Sequence, residues 1–261
     1  MRIGNMILSS SVKDLPWDFD ESVRPFFHKG SKTGCLVMHG FTGTPATMLP
    51  VAHRLSEAGY TVYAPLLSGH GTTLGDMDGR RHGDWLNDAL AAYDRLKLEG
   101  CDEVFLIGLS MGGLLMALTA LKRPCGGLLL LNTPFVMRAY LNIAAFISPL
   151  LPYALFTSPR CPDPYSQGYH GAPTRRLKDV NKLARLAARG LPAIACPVLA
   201  IQSKKDSRVN LRSVSIIQAG LPSTPEIVWL ENSPHGCTYG PEKTLVADKC
   251  LEFIQRCSHM E

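Results

Sequence analysis

The feature that most constrains the fold of this chain is the alternation of short apolar runs with helical patterns from about residue 35 onward. The six clearest apolar runs lie at residues 35–39, 61–64, 104–108, 128–131, 198–202 and 226–230. Strands that alternate with helices form βαβ units, and a run that is apolar throughout fits a strand covered on both faces. The sequence therefore predicts an α/β fold with a mainly parallel central sheet and helices on both faces.

Helical periodicity predicts four helices among these strands, at about residues 46–58, 84–100, 113–121 and 242–257. The first of them ends at Gly59, and Asp84 is the expected N-cap of the second. A further strand is possible at residues 23–27. The pattern stops between Pro134 and Pro197, a proline-rich stretch too long for an unstructured loop in a compact domain. We expect a small helical cap at about residues 134–195, inserted between two late strands.

The composition fits one domain over residues 1–261, since a chain with 46% hydrophobic residues can bury a large core. Its apolar stretches are shorter than the roughly 20 residues of a membrane span, and its first residues lack the apolar core of a signal peptide. The eight cysteines are scattered without a C-x-x-C pair, which favours free thiols and argues against a metal site. We expect a cytoplasmic protein with no transmembrane segment.

The strongest chemical signal is the G-x-S-x-G sequence of residues 108–112, in which Ser110 is the central serine. The motif lies between a predicted strand and a predicted helix. A strand that turns at once into a helix strains the serine backbone and requires neighbours with little or no side chain. Ser110 would then project above the sheet as a nucleophile, and the Met111 amide would lie at the start of the helix, where it favours a developing anion.

A serine hydroxyl needs a base to take its proton and an acid to orient that base. Asp206 and His235 each follow a predicted strand, and carboxyl ends of strands are where sites form in α/β folds. We therefore predict a catalytic triad of Ser110, Asp206 and His235. The alternative acids, considered less favourable, are Asp163, Asp179 and Glu231, and His70 is expected to organise a loop.

Acyl transfer also requires donors for the oxyanion of the tetrahedral intermediate. His39 and Gly40 follow the first strand of the predicted sheet, where such a turn can present a backbone amide to the nucleophile. We assign the backbone N–H groups of Phe41 and Met111 to the oxyanion hole. The alternative for residues 39–43 is an ordinary turn before a helix.

Several of these motifs together resemble the α/β-hydrolase superfamily, and more narrowly the bacterial carboxylesterases related to monoglyceride lipases. The resemblance covers about residues 33–255 and is carried by residues 38–43, 69–71, 108–113, 202–209 and 233–235. It implies an α/β-hydrolase fold with a cap over an acyl pocket, the same triad and oxyanion hole, and no cofactor. Two positions depart from the family: Ser203 stands where many relatives have glycine, and Gly236 where many have a bulky aliphatic residue.

These features predict a serine hydrolase that cleaves carboxylic esters of short- to medium-chain acyl groups, with monoacylglycerols among the possible substrates. A thioesterase, an amidase or an acyltransferase would use the same triad, and a ligand receptor with this fold is the alternative from outside catalysis. Cys237 is expected near the site, where bulky thiol reagents would inhibit.

The net charge of +5 is concentrated in one segment, because residues 174–190 carry six cations and a single acid. Without interleaved aromatic residues this segment does not indicate a nucleic-acid binder. It reads as an amphipathic helix whose charged face meets solvent, an acidic substrate or, through weak contact, an anionic membrane surface. The oligomeric state is left open.

Overall fold

The centre of the molecule is a seven-stranded sheet, seen in a computed structural model that describes residues 1–10, 21–157 and 162–258. The strand order is β11-β10-β7-β6-β4-β5-β3, and all pairs are parallel except β3 with β5. The strands are β3 (Phe26–His28), β4 (Thr33–Met38), β5 (Thr61–Ala64), β6 (Glu103–Leu109), β7 (Gly127–Leu131), β10 (Val198–Ser203) and β11 (Glu226–Leu230). The predicted parallel sheet is confirmed. Each of the six expected strands begins and ends within two residues of its predicted boundaries.

Helices cover both faces of this sheet, as the sequence predicts. They are α1 (Leu49–Glu57), α2 (Leu74–Asp78), α3 (His82–Leu98), α4 (Met111–Ala120), α5 (Ala139–Phe146), α6 (Leu177–Gly190), α7 (Arg212–Gly220) and α8 (Lys243–Ser258). Side chains alternate along each strand, so Val37 and Ile107 pack in the core beneath α1 and α8 while Leu36 and Leu106 pack in the core beneath α3 and α4.

Two elements begin or end at residues other than those predicted from the sequence. Asp84 is not the N-cap of α3, because the helix begins at His82 and the Asp84 carboxylate accepts a hydrogen bond from the Arg81 amide at 2.8 Å. The carboxylate thus caps the helix from its first turn instead of from outside it. The strand expected at residues 23–27 is present but shorter and later, as β3.

The insertion after β7 contains strands as well as the expected helices. Besides α5 and α6 it carries β8 (Tyr153–Phe156) and β9 (Gly171–Pro173), which pair antiparallel. An N-terminal hairpin of β1 (Arg2–Ile3) and β2 (Met6–Ser9) pairs with β8 and completes a second sheet in the order β1-β2-β8-β9. We call this second sheet the roof sheet. The purely helical cap expected from the prolines is therefore extended by four short strands, two of them from outside the insertion.

Among the described residues, no helix is both long and apolar enough to cross a membrane. The described cysteines are free thiols, and Cys161 lies outside the described residues. The closest thiol pair is Cys125 with Cys196, whose sulfur atoms are 3.4 Å apart.

Candidate active site

Ser110 occupies a sharp turn between β6 and α4. Its backbone angles are φ 55° and ψ −123°, a conformation that residues other than glycine rarely adopt. The Ser110 amide donates to the Leu131 carbonyl at 2.8 Å, which ties the turn to the end of β7. Such strain persists only where the surrounding structure imposes it, and it is common at catalytic residues.

The glycines of the motif are required by close backbone contacts. A Cβ on Gly108 would lie 2.3 Å from the Gly112 carbonyl carbon, and a Cβ on Gly112 would lie 2.3 Å from the Met38 carbonyl oxygen. Gly40 passes so close to Ser110 that its Cβ would lie 3.0 Å from the serine Cβ. The turn that carries Phe41 is therefore packed directly against the turn that carries Ser110.

Asp206 and His235 form a hydrogen-bonded pair. The His235 Nδ1 atom lies 2.8 Å from Asp206 Oδ2, while Asp206 Oδ1 accepts the amides of Arg208 and Val209 at 2.7 and 2.9 Å. Burial by itself would raise the pKa of the Asp206 carboxyl, but the His235 charge and these hydrogen bonds outweigh it, so the pKa lies below its ordinary value. The carboxylate is ionised and holds the imidazole with Nε2 directed away from it.

The three alternative acids are engaged elsewhere. Asp163 bonds Lys243, Asp179 bonds His82 and Arg176, and Glu231 pairs with Lys204.

Cys237 is fully buried, and burial raises the pKa of its thiol well above the usual value. A buried protonated thiol reacts poorly, so the structure does not support the expected inhibition by bulky thiol reagents.

Two buried histidines shape the turn that carries Phe41. The Nε2 atom of His39 accepts the Leu67 amide at 3.1 Å, and the Nε2 atom of His70 accepts the Thr42 amide at 3.3 Å. Each ring must then carry its proton on Nδ1, which faces the Gly40 carbonyl in His39 and the Ser68 carbonyl in His70. His70 thus organises a loop, as expected from the sequence. The Phe41 and Met111 amides are taken by no acceptor within the described residues, so both are available as oxyanion donors.

These neutral histidines make stability sensitive to acid. Burial lowers the pKa of His39 to about 4, whereas the pKa of a histidine in an unfolded chain is near 6.5. Between these values only the unfolded state binds the proton, so stability is lost as pH falls from about 6.5 to about 4. We expect His39 alone to remove about 3 kcal/mol from the free energy of unfolding over that range, measured by urea titration. The matched variant His39→Gln should show a shallower pH dependence, and equal slopes would contradict the assignment.

One cavity with two arms contains Ser110 and His235. The apolar arm runs beneath the cap and has a volume of about 710 Å³, its open mouth included. It is lined by the residues Met6, Met137, Leu141, Phe156, Leu177 and Val180. The second, more polar arm shares Ser110 and His235 with the first and is also lined by the residues Thr47, Ser166, Gln167, His170 and Tyr239. A bound molecule could therefore place dissimilar groups on the two sides of Ser110.

Both departures from the family pattern have a local cause. The Ser203 hydroxyl accepts a hydrogen bond from the side chain of Asn132 at 2.9 Å. Gly236 leaves room for an aromatic ring, because a Cβ there would lie 2.1 Å from the Tyr239 Cζ atom. Asn132 was not identified from the sequence, and its position directly after a predicted strand is the only signal that could have suggested it.

Comparison with known proteins agrees with this architecture. Residues 35–247 match the model of the alpha/beta hydrolase family. A thermostable monoacylglycerol lipase from Bacillus sp. (strain H-257) is 34% identical over 240 residues, which is 89% of this chain and 94% of that protein. A carboxylesterase from Bacillus subtilis (strain 168) is 27% identical over 237 residues, covering 89% of this chain and 96% of the relative.

The same similarity is found among solved structures. A chain from the work on the metagenome-derived lipolytic enzymes LipS and LipT superposes with a TM-score of 0.84 at 34% identity. The match covers 90% of this chain and 98% of that one. The family model covers most of the chain, and two relatives at 34% identity agree with it, so the chain belongs to the α/β hydrolase family.

Proposed function

We propose that this carboxylic ester hydrolase works through a covalent acyl-enzyme on Ser110, with Asp206 and His235 completing the triad. The observation that carries the proposal is the 2.8 Å bond between His235 Nδ1 and Asp206 Oδ2 at the cavity that Ser110 lines. A histidine held in this tautomer presents Nε2 as a base. The family match and the relatives named as a carboxylesterase and a monoacylglycerol lipase support the same chemistry.

In the first half-reaction His235 Nε2 takes the Ser110 proton as Oγ attacks the ester carbonyl carbon. The amides of Phe41 and Met111 donate to the resulting oxyanion, and each such donor is worth about 3 kcal/mol to the transition state. The carbon–oxygen bond then breaks, and the alcohol leaves with the proton from His235. Water attacks the acyl-enzyme in the same manner, which releases the acid and restores the serine.

We propose that the acyl chain occupies the apolar arm and the alcohol occupies the polar arm. Aliphatic and aromatic side chains line the first arm, which suits a short- to medium-chain acyl group. Hydroxyl, amide and imidazole groups line the second arm and could bind the free hydroxyls of a glycerol. Monoacylglycerols therefore fit the site better than esters with large apolar alcohols. Comparing a monoacylglycerol with the ethyl ester of the same acid tests this choice.

Met6 is predicted to limit the length of the acyl chain, because it projects from β2 into the apolar arm. Met6→Ala should enlarge the arm and raise kcat/KM for longer esters, relative to butyrate, by about tenfold, the effect of one or two extra buried methylenes. Leu8→Ala is the matched control, since Leu8 is equally buried on the same strand but does not line the arm. If the dependence of kcat/KM on acyl-chain length changed equally in both variants, the placement of the acyl chain against Met6 would be contradicted.

The nucleophile is tested directly with a fluorophosphonate, which reacts with activated serines. Peptide mass spectrometry should find one adduct, on Ser110, and activity should fall in proportion to labelling. Absence of an adduct from folded protein would favour the receptor alternative. A panel of matched ester, thioester and amide substrates, with added alcohol acceptors, would separate an esterase from a thioesterase, an amidase or an acyltransferase.

We propose in addition that the outer face of the cap makes weak contact with anionic lipid surfaces. Phe146 and Leu150 are 81% and 79% exposed. Pro149, which lies between them in the chain, lines one cleft with Lys178, Lys182 and Arg185 of α6. Apolar side chains beside several cations are the combination that binds charged bilayers.

Vesicle co-sedimentation tests the membrane contact. Vesicles that contain phosphatidylserine should bind the protein more tightly than pure phosphatidylcholine, and Lys182→Gln should weaken binding about fivefold, the effect of one cation near the surface. Phe146→Ser should weaken it as well. Leu98→Ser is the control, because Leu98 is 89% exposed on α3, outside the cap. Equal binding by all three variants would contradict the proposal.

A single domain over residues 1–261, with the cap as an insertion, is the organisation we propose for the chain. The shared cavity supports it, since β2, the cap and the loops that follow strands of the central sheet all line the same arm. The free thiols favour a reducing compartment such as the cytoplasm.

A further inference from the structure

Asn132 lies where the three loops of the site meet. It directly follows β7 and is fully buried, and its φ of 43° makes it one of three non-glycine residues of the described chain with a positive φ. The other two are Thr42, in the turn after β4, and Ser110. Backbone strain of this kind is retained where surrounding contacts impose the conformation.

The backbone around Asn132 connects the serine turn to the strand that precedes the acid. The Leu131 carbonyl accepts the Ser110 amide at 2.8 Å, and the Asn132 amide donates to the Ile201 carbonyl at 2.8 Å. The end of β7 is thereby fixed between the ends of β6 and β10. The side chain of Asn132 consequently starts from a defined point between the nucleophile and the acid.

The side-chain amide of Asn132 joins the acid loop to the histidine loop. Its Oδ1 accepts the Ser203 amide at 2.7 Å, and its Nδ2 donates to the Ser203 hydroxyl at 2.9 Å and to the His235 carbonyl at 2.8 Å. A carbonyl can only accept and an amide N–H can only donate, so this pattern fixes which way the amide faces. Asn132 holds the backbone of His235 itself, at a fixed distance from the strand that leads to Asp206.

We propose that Asn132 is a positioning residue for the triad: it sets the His235 main chain relative to the Asp206 loop, so that the Nδ1–Oδ2 hydrogen bond forms in the resting enzyme. The inference rests on the proposed function of Ser110, Asp206 and His235. Without this amide the His235 carbonyl would lose its hydrogen bond to Asn132, and the imidazole would be held less firmly against Asp206. Turnover would then fall.

Two substitutions keep the backbone conformation, because Gly and Asp both tolerate a positive φ. Asn132→Gly removes the side chain, and Asn132→Asp retains its size but replaces the donor with an acceptor that faces the His235 carbonyl. We expect kcat on a p-nitrophenyl ester to fall by about 10- to 100-fold in both, with KM changed by less than about threefold, the range seen when a supporting contact of a site is lost.

Thr133→Val provides the matched control. Thr133 is the next residue, is equally buried, and its hydroxyl has no hydrogen-bond partner among the described residues. A merely structural role for Asn132 would lower the melting temperature but leave kcat and KM, measured well below that temperature, like those of Thr133→Val. That result would overturn the inference.

Ser203→Ala decides the matter if both Asn132 variants fail to fold. This substitution removes the hydroxyl that accepts a hydrogen bond from the Asn132 side chain, and it adds no bulk to the core. We therefore expect kcat to fall by about three- to tenfold. An unchanged kcat would overturn the inference. Ser110→Ala is measured in parallel. Full activity in Ser110→Ala would refute the proposed function, whereas an inactive Ser110→Ala beside a fully active Asn132→Asp refutes only the role of Asn132.

Discussion

Ser110→Ala should fold normally and lose at least about a thousandfold in kcat on a p-nitrophenyl ester, because the proposed mechanism takes its attacking oxygen from Ser110. The residual rate would come from the oxyanion donors and from substrate binding. Stopped assays at high enzyme concentration measure the loss. Appreciable residual turnover in Ser110→Ala would indicate that another residue is the nucleophile.

The strained backbone of Ser110 allows a second test at the same position, through the free energy of unfolding. Alanine keeps the strain of the positive φ, whereas glycine adopts that conformation without cost. Ser110→Gly should therefore be as inactive as Ser110→Ala, yet exceed it in the free energy of unfolding by about 1 kcal/mol. Equal stability of the two variants would show that the turn is not strained.

Asp206→Asn should reduce kcat on the order of a thousandfold or more while it leaves the fold intact. Asp206 Oδ1 accepts two backbone amides, so the oxygen of an asparagine must remain there and its NH₂ group must face His235 Nδ1. The imidazole would then carry its proton on Nε2, where it donates and cannot act as the base. The expected loss follows from the wrong tautomer.

Glu231→Gln is the matched control for this second substitution. Glu231 is an exposed acid close to His235 in sequence, and it pairs with Lys204 instead of with the histidine. Its activity should stay within about twofold of the unmodified protein. If Asp206→Asn kept more than a tenth of the activity, or if Glu231→Gln lost as much, Asp206 would not be the acid of the triad.

The central sheet was predictable from the sequence because its inner strands, β4, β5, β6, β7 and β10, are buried on both faces and form continuous apolar runs. The roof sheet was not, since β2 pairs with β8 about 150 residues further along the chain and each of these two strands is four residues long. Short strands with partners far along the chain leave no local periodicity. The boundary of α3 was missed because Asp84 can cap a helix from either of two positions.

The sequence predicted the three candidate catalytic residues of the site but not the neighbouring residue that holds their loops together. The G-x-S-x-G turn fixes Ser110, and the loop after β11 brings His235 to the same cavity. The loop after β10 places Asp206 in hydrogen-bond contact with His235, as the sequence indicates. Their catalytic roles stay predictions until the substitutions are measured. Asn132 was not foreseen, because its amide has a role only through Ser203 and the His235 carbonyl, two partners about 70 and 100 residues further along the chain.

The pairing of β2 with β8 has a practical consequence for recombinant production. A fusion partner joined ahead of Met1 would emerge beside the roof sheet, within a few residues of the Met6 side chain in the apolar arm. A tag joined after α8 would leave from the opposite face of the central sheet. Purified preparations that differ only in which terminus carries the tag should therefore differ in their preference among ester chain lengths, and cleavage of an N-terminal tag should abolish the difference.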